Sequence, residues 1–221
     1  TRLVFCEAPG SLTFEMQDIP EIAAIAHGHG ALVAMDNTWA TPYFFDALGH
    51  GVDLSVQAGT KYIAGHSDLL LGSIATGEAL WRTVRDTVAD YGYGVSPDDC
   101  YLALRGLRTL GVRLKAHAAG AMTVACWLQQ RAEVARVLYP ALPGDPGHAI
   151  WKRDFSGASG LFGLELRPVA RPALAAFADS LALFGIGASW GGYESLIVPA
   201  KFTRTVSAAK FEGPLLRLNI G

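Results

Sequence analysis

The chain alternates between short continuous apolar runs and stretches with helical periodicity. Leu3-Val4-Phe5 opens an apolar run that ends at a Pro9-Gly10 turn and reads as a buried strand. From Asp18 to His27 the apolar positions Ile19, Ile22, Ala23, Ile25 and Ala26 recur at helical spacing. Asp18 stands where a helix takes its N-cap. ALVAMD (31–36), Val52 to Val56 and LLLGSIAT (69–76) each read as a strand. Strands alternating with helices predict an α/β layer around a mainly parallel sheet. Glu78 to Ala89, Asp98 to Leu110 and Gly111 to Gln130 read as helices, the last rich in Ala.

After Arg131 the pattern changes. VARVLYP (134–140) reads as a short strand closed by Pro, and ALPGDPGH as a turn-rich loop. GLFGLELR (160–167) alternates as a half-exposed strand does. Ala173 to Leu183 is helical, and SLIVP (195–199) and LLRLNI (215–220) look like strands. This predicts two units. Residues 1–108 form the first; residues 109–221 hold a long helix and an α+β unit incomplete at its C-terminus. The chain starts without Met and stops in strand-like sequence, which reads as a piece of a longer protein.

Composition narrows the function classes. The 221 residues are 51% hydrophobic and 17% charged, an apolar balance that suits two-sided buried strands and a large interface. A net charge of -2 gives no electrostatic case for nucleic acid or an anionic membrane. Apolar stretches are broken well short of the ~20 residues of a membrane span. Cys6, Cys100 and Cys126 are odd in number and far apart, so no disulfide framework or zinc site is indicated, and a reducing cytoplasm is expected. His27 and His29 form an HxH pair without a third ligand nearby and read as a helix end and its turn, so no metal is expected.

The chemistry concentrates at two strand ends. ALVAMD ends in Asp36, and the next strand runs into Gly59-Thr60-Lys61. A lysine beside a carboxylate on neighbouring buried strands suits pyridoxal 5'-phosphate: an amine for the aldehyde, an acid for the pyridine nitrogen. A lysine after a strand is by itself more often a surface charge. The polar turn His66-Ser67-Asp68 and the Thr60 hydroxyl, able to bond a phosphate, favour the functional reading. Asn37 and Thr38 are expected to hold the loop after Asp36 by local hydrogen bonds. Arg105, Arg108, Arg113 and Lys115 read as structural, and Tyr91 and Tyr93 as loop packing.

AMDNTWATPYF with GTKYIAGHSD resembles the PLP-dependent transsulfuration family of Cys/Met metabolism. EAPGSLTFE (7–15) resembles that family's strand-turn and RGLRTLGVRL (105–114) its helix entry. YPALPGDPGH (139–148) resembles its interdomain loop and SWGGYESL (189–196) its substrate-side loop. The resemblance spans the whole chain. It implies the fold type I, aminotransferase-type architecture: residues 1–108 as part of the PLP-binding large domain, residues 109–221 as the long helix and small domain.

By position, Lys61 matches the Schiff-base lysine, Asp36 the partner of the pyridine nitrogen, and Thr60 a phosphate contact. Arg217 matches the arginine for the substrate α-carboxylate, and Ser189 and Trp190 the loop lining the substrate site. Ala58 stands where many relatives have a hydroxyl residue. Trp190 in SWGG favours the bacterial cystathionine β-lyase branch, since γ-acting relatives more often carry SLGG. The implied reaction is α,β-elimination of the sulfur amino acid L-cystathionine to homocysteine, pyruvate and ammonia, in a cytoplasmic homotetramer built as a dimer of dimers. Two alternatives stay open: a γ-acting relative (cystathionine γ-lyase or γ-synthase, methionine γ-lyase), or a non-catalytic fragment of the PLP fold. The resemblance also implies a missing N-terminal part with a Gly-containing phosphate loop and a ring-stacking tyrosine. The isolated chain is therefore expected to be inactive.

Overall fold

A computed structural model describes residues 1–204, 206 and 210–221. Two sheets carry the chain. The first has strands β1 (Leu3–Glu7), β2 (Leu32–Asp36), β3 (Leu54–Ala58) and β4 (Gly72–Thr76), in that order. β1, β2 and β3 run parallel, with Glu7 opposite Asp36 and Asp36 opposite Val56. β4 runs antiparallel to β3, so the sheet is mixed. The LLLGSIAT stretch is a strand only from Gly72. Leu69 instead packs into a small cluster with Ala64 and Ala103, and Leu70 is exposed.

Helix α1 (Ile19–Gly28) joins β1 to β2. Asp18 caps it, its Oδ1 accepting from Glu21 N at 3.1 Å. Such a cap contributes about 1 kcal/mol. His27 lies in the last turn, where its Nε2 is 2.9 Å from Asp53 Oδ2, and His29 is the C-cap. Among the described residues no group of three His, Cys, Asp or Glu could hold a metal ion.

After a short α2 (Thr41–Phe44), the helices α3 (Glu78–Asp90), α4 (Pro97–Leu107) and α5 (Leu110–Leu128) connect the two sheets. Residues 139–148, which resemble an interdomain loop, connect the strand Val134–Leu138 to the helix His148–Asp154. Arg113 has the structural role expected for the basic cluster: Nη2 donates to Gly106 O at 2.8 Å and Ile63 O at 3.2 Å. Tyr91 and Tyr93 stack on each other 5.8 Å apart, but both are largely exposed. No helix among the described residues is long and apolar enough to cross a membrane.

The second sheet orders β5 (Val134–Leu138), β6 (Leu161–Leu166), β9 (Leu215–Asn219), β8 (Leu196–Ala200) and β7 (Gly185–Ile186). Helices α6 (His148–Asp154) and α7 (Arg171–Asp179) flank its strands in sequence. β6 is not the half-exposed strand that its alternation suggests; Leu161 to Glu165 are all buried. Glu165 tolerates burial because Arg136 Nε donates to its Oε2 at 2.5 Å and Glu212 N to its Oε1 at 2.7 Å. Gly163 leaves the space that Phe14 and Leu138 fill; a Cβ there would lie 2.9 Å from the Phe14 ring. One continuous core joins both sheets, from Val33 and Met35 through Leu114 and Ala121 on α5 to Phe162 and Leu216.

Candidate active site

The parallel strands β1, β2 and β3 end at Glu7, Asp36 and Ala58, and their following turns converge. In open α/β sheets ligands bind at this carboxyl edge. Asp36 Oδ1 accepts from Thr38 N at 2.9 Å. Among the described residues its Oδ2 accepts no hydrogen bond from the chain, leaving that oxygen available. The DNT loop is held locally, as the sequence suggests, by the Asp36–Thr38 bond and by Asn37 O accepting from Thr41 N at 2.8 Å, and also by neighbouring elements. Asn37 Nδ2 donates to Phe45 O at 3.0 Å, Asn37 N to Val56 O at 2.8 Å, and Thr38 Oγ1 accepts from Ala58 N at 2.8 Å. Ala58 thus has no hydroxyl of its own, but its amide ties the Asp36 loop to the Lys61 turn.

The Gly59-Thr60-Lys61 turn closes with Lys61 N donating to Ala58 O at 3.0 Å. The Thr60 hydroxyl accepts from Leu71 N at 3.0 Å and donates to Leu71 O over a long 3.4 Å. Contact with a phosphate would replace that long bond. Lys61 Nζ donates to Ser189 Oγ at 3.0 Å and lies 5.4 Å from the Trp190 ring centre. Burial, and then the Arg217 charge, push the Lys61 ammonium below the ordinary lysine range. Its amine is therefore easier to deprotonate than a surface lysine's.

Arg217 sits in the middle of β9, opposite Gly163 and Val198. Its Nη2 donates to Ala188 O, in a very short contact, and to Ser189 O at 3.3 Å. A narrow cavity of about 30 Å³ brings Arg217 and Trp190 together with Glu7, Pro9 and Gly10 of the first turn. The much larger apolar groove of about 730 Å³ lies between α5, α7 and the second sheet, lined by Trp127, Leu174 and Phe184 rather than by Lys61.

The structure thus brings Lys61, Ser189, Trp190 and Arg217 together, with Asp36 and Thr60 on the neighbouring strand ends. Sequence reasoning missed the residues that hold them. Tyr62 is fully buried; its hydroxyl accepts from Gly160 N at 3.1 Å, and its ring meets Trp190 edge-on at 5.6 Å. Gly191 adopts φ 81°, and a Cβ there would sit 3.0 Å from both Lys61 Cβ and Tyr62 N. Ser67 Oγ donates to Glu194 Oε2 at 2.8 Å, so the HSD turn clasps the same loop. The Gly191-Gly192 pair in SWGG was the available signal for this close approach.

The description "Cys/Met metabolism PLP-dependent enzyme" matches residues 1–214. The chain belongs to this family. Its cofactor is pyridoxal 5'-phosphate, and its fold is that of the fold type I PLP enzymes. The chain is 47% identical to the cystathionine beta-lyase of Bordetella avium, over all of this chain and 57% of that protein. It is 44% identical to the cystathionine beta-lyase of Escherichia coli K12, over all of this chain and 58% of that protein. Cystathionine gamma synthase of Xanthomonas oryzae pv. oryzae, solved with cystathionine, superposes with a TM-score of 0.91 at 36% identity, over all of this chain and 59% of that one. The chain therefore spans somewhat over half the length of the relatives it matches.

Its residues fit the family's cofactor. A desolvated amine of lowered proton affinity, a carboxylate with an available oxygen and a turn hydroxyl lie on one sheet edge.

Proposed function

We propose that this chain carries the lysine and substrate-carboxylate portion of a carbon–sulfur lyase that cleaves L-cystathionine by α,β-elimination, giving homocysteine and, once water hydrolyses the released three-carbon enamine, pyruvate and ammonia. The observation that carries this reading is the convergence of Lys61, Ser189 and Arg217: one loop accepts hydrogen bonds from both cations. The β-lyase relatives named above, more similar in sequence than the γ synthase, support β- over γ-elimination.

When bound, pyridoxal phosphate supplies the sink for the electron pair left at the substrate Cα. Asp36 would pair with the ring nitrogen and Thr60 with the phosphate. Lys61 would hold the cofactor through Nζ and, once displaced by the substrate amine, take the Cα proton at that same atom. Its lowered proton affinity suits both tasks. Ser189 Oγ orients the amine. Arg217 would exchange its loop carbonyls for the substrate α-carboxylate, for which a planar fork is the best partner. Trp190, half-buried against Tyr62, would exclude water from the reacting side. A homotetrameric, cytoplasmic enzyme is part of this proposal.

The γ-acting alternative keeps one specific support, the close superposition on the Xanthomonas γ synthase. Product analysis separates the two. The protein expressed from its own gene, supplied with pyridoxal phosphate and L-cystathionine, should release pyruvate. Release of 2-oxobutyrate instead would establish the γ reading.

A further inference from the structure

We infer that Asn219 is a positioning residue that fixes the Ser189–Glu194 loop against Lys61. Asn219 ends β9 and is 1% exposed. Its carboxamide spans the loop. Oδ1 accepts from Gly191 N at 3.1 Å and Nδ2 donates to Glu194 O at 2.9 Å. Both backbone groups are thereby satisfied in a place where an unpaired buried polar group costs about 1–3 kcal/mol.

Geometry makes this clasp more than a local tie. Gly191 packs closely on the Lys61 backbone, where an added Cβ would lie 3.0 Å from Lys61 Cβ and Tyr62 N and 3.1 Å from Lys61 C. Fixing Gly191 therefore fixes how far Ser189 and Trp190 stand from the Lys61 amine. Arg217 and Asn219 lie two residues apart on one strand and so face the same side. Arg217 holds the loop's first carbonyls, those of Ala188 and Ser189; Asn219 holds its far end. If Arg217 turns to a substrate carboxylate, its two bonds to the loop are lost. Asn219 then keeps the loop in place, with the Ser67–Glu194 bond beside it. This inference rests on the role proposed for Arg217 and Lys61; the clasp itself does not.

The test uses Asn219→Leu, close in shape but without either hydrogen bond, and Asn219→Asp, which keeps an acceptor for Gly191 N. Both are made in the protein expressed from its own gene and read without cofactor. Hydrogen exchange by mass spectrometry should quicken by about ten-fold or more over residues 188–195, equivalent to losing about 1.4 kcal/mol of local protection. The β2 and β6 peptides should keep their wild-type rates. The aspartate variant should change less, and it serves where the leucine variant does not fold. Competitive acetylation of Lys61 should titrate at higher pH in the leucine variant, because a withdrawn loop lets water reach the amine. Unchanged exchange over 188–195, loosening spread equally over the control strands, or an unmoved Lys61 titration overturns the inference. Borohydride reduction of the wild-type protein with pyridoxal phosphate is read separately. Attachment away from Lys61 would sink the proposed function and leave the exchange result standing.

Discussion

Lys61 Nζ and Ser189 Oγ lie 3.0 Å apart although 128 residues separate them in the chain. The bond joins the turn after β3 to the loop before β8, and thus the first sheet to the second. If Lys61 carries the cofactor, borohydride reduction should fix pyridoxal phosphate to the peptide containing Thr60-Lys61-Tyr62, and Lys61→Ala should abolish turnover. Ser189→Ala removes one hydrogen bond to a charged amine, worth about 1.5–3 kcal/mol. It should lower kcat by on the order of ten-fold or more while leaving the site of labelling unchanged. Labelling at Lys115 or Lys152 would overturn the assignment.

Asp36 offers a carboxylate oxygen at the end of β2. Asp36→Asn preserves shape, and its carboxamide oxygen can still accept from Thr38 N, but no charge remains to hold a proton on the ring nitrogen. Loss of one electrostatic stabiliser commonly costs on the order of 10²-fold in rate. The kcat for elimination should fall by about that much or more, with a far smaller change in KM. Near-wild-type kcat would remove Asp36 from the chemistry.

Much of this site was legible from sequence because strand ends carry their own signals. β2 is a continuous apolar run that stops at Asp36, and Gly59-Thr60 marks the turn before Lys61. What the sequence hid depends on partners distant along the chain. The direction of β4 is set by its pairing with β3, which no local pattern encodes. β6 looks half-exposed because Glu165 is charged, and its burial is explained by Arg136 and the Glu212 and Gly213 amides, all distant along the chain. The short helices α2 and α6 offer too few turns for a periodic signal. Asn219 reads as one polar residue on an apolar strand until the loop it clasps is placed beside it.

Arg217 makes its present bonds to the carbonyls of the Ser189 loop, and burial lowers its own proton affinity. Arg217→Lys keeps a cation but loses the fork. Substrate binding should weaken by on the order of 2–5 kcal/mol, read as a rise in KM, while the absorbance of bound cofactor stays intact. Disappearance of that absorbance would make Arg217 a structural residue instead.

Gly191 combines φ 81° with the close approach to Lys61 Cβ and Tyr62 N. Gly191→Ala adds both a strained backbone, about 1–2 kcal/mol for a non-glycine residue in the left-handed region, and a contact that must be relieved. The loop should withdraw from Lys61. Turnover should fall, and the Lys61 titration should rise as the amine is hydrated. Gly28→Ala, where nothing lies within 4 Å of the added carbon, is the control and should leave both unchanged.

His117 lies buried on α5, edge-on to Tyr62 at 5.5 Å, with its Nδ1 2.5 Å from Ile220 O just beyond β9. Burial holds its proton affinity below the ordinary histidine value of 6.5; the bond to Ile220 O opposes this, and the Arg113 charge adds to it. The folded protein therefore keeps His117 neutral at a pH where the unfolded chain already binds the proton. Stability must fall as pH drops below the unfolded value of 6.5 toward the lower folded value, and this group contributes no slope well above 6.5. His117→Gln retains a donor for Ile220 O but cannot take up a proton. Urea unfolding should then show a shallower loss of stability between about pH 7 and about pH 5 in the variant than in the wild type. Equal slopes would place the acid sensitivity elsewhere.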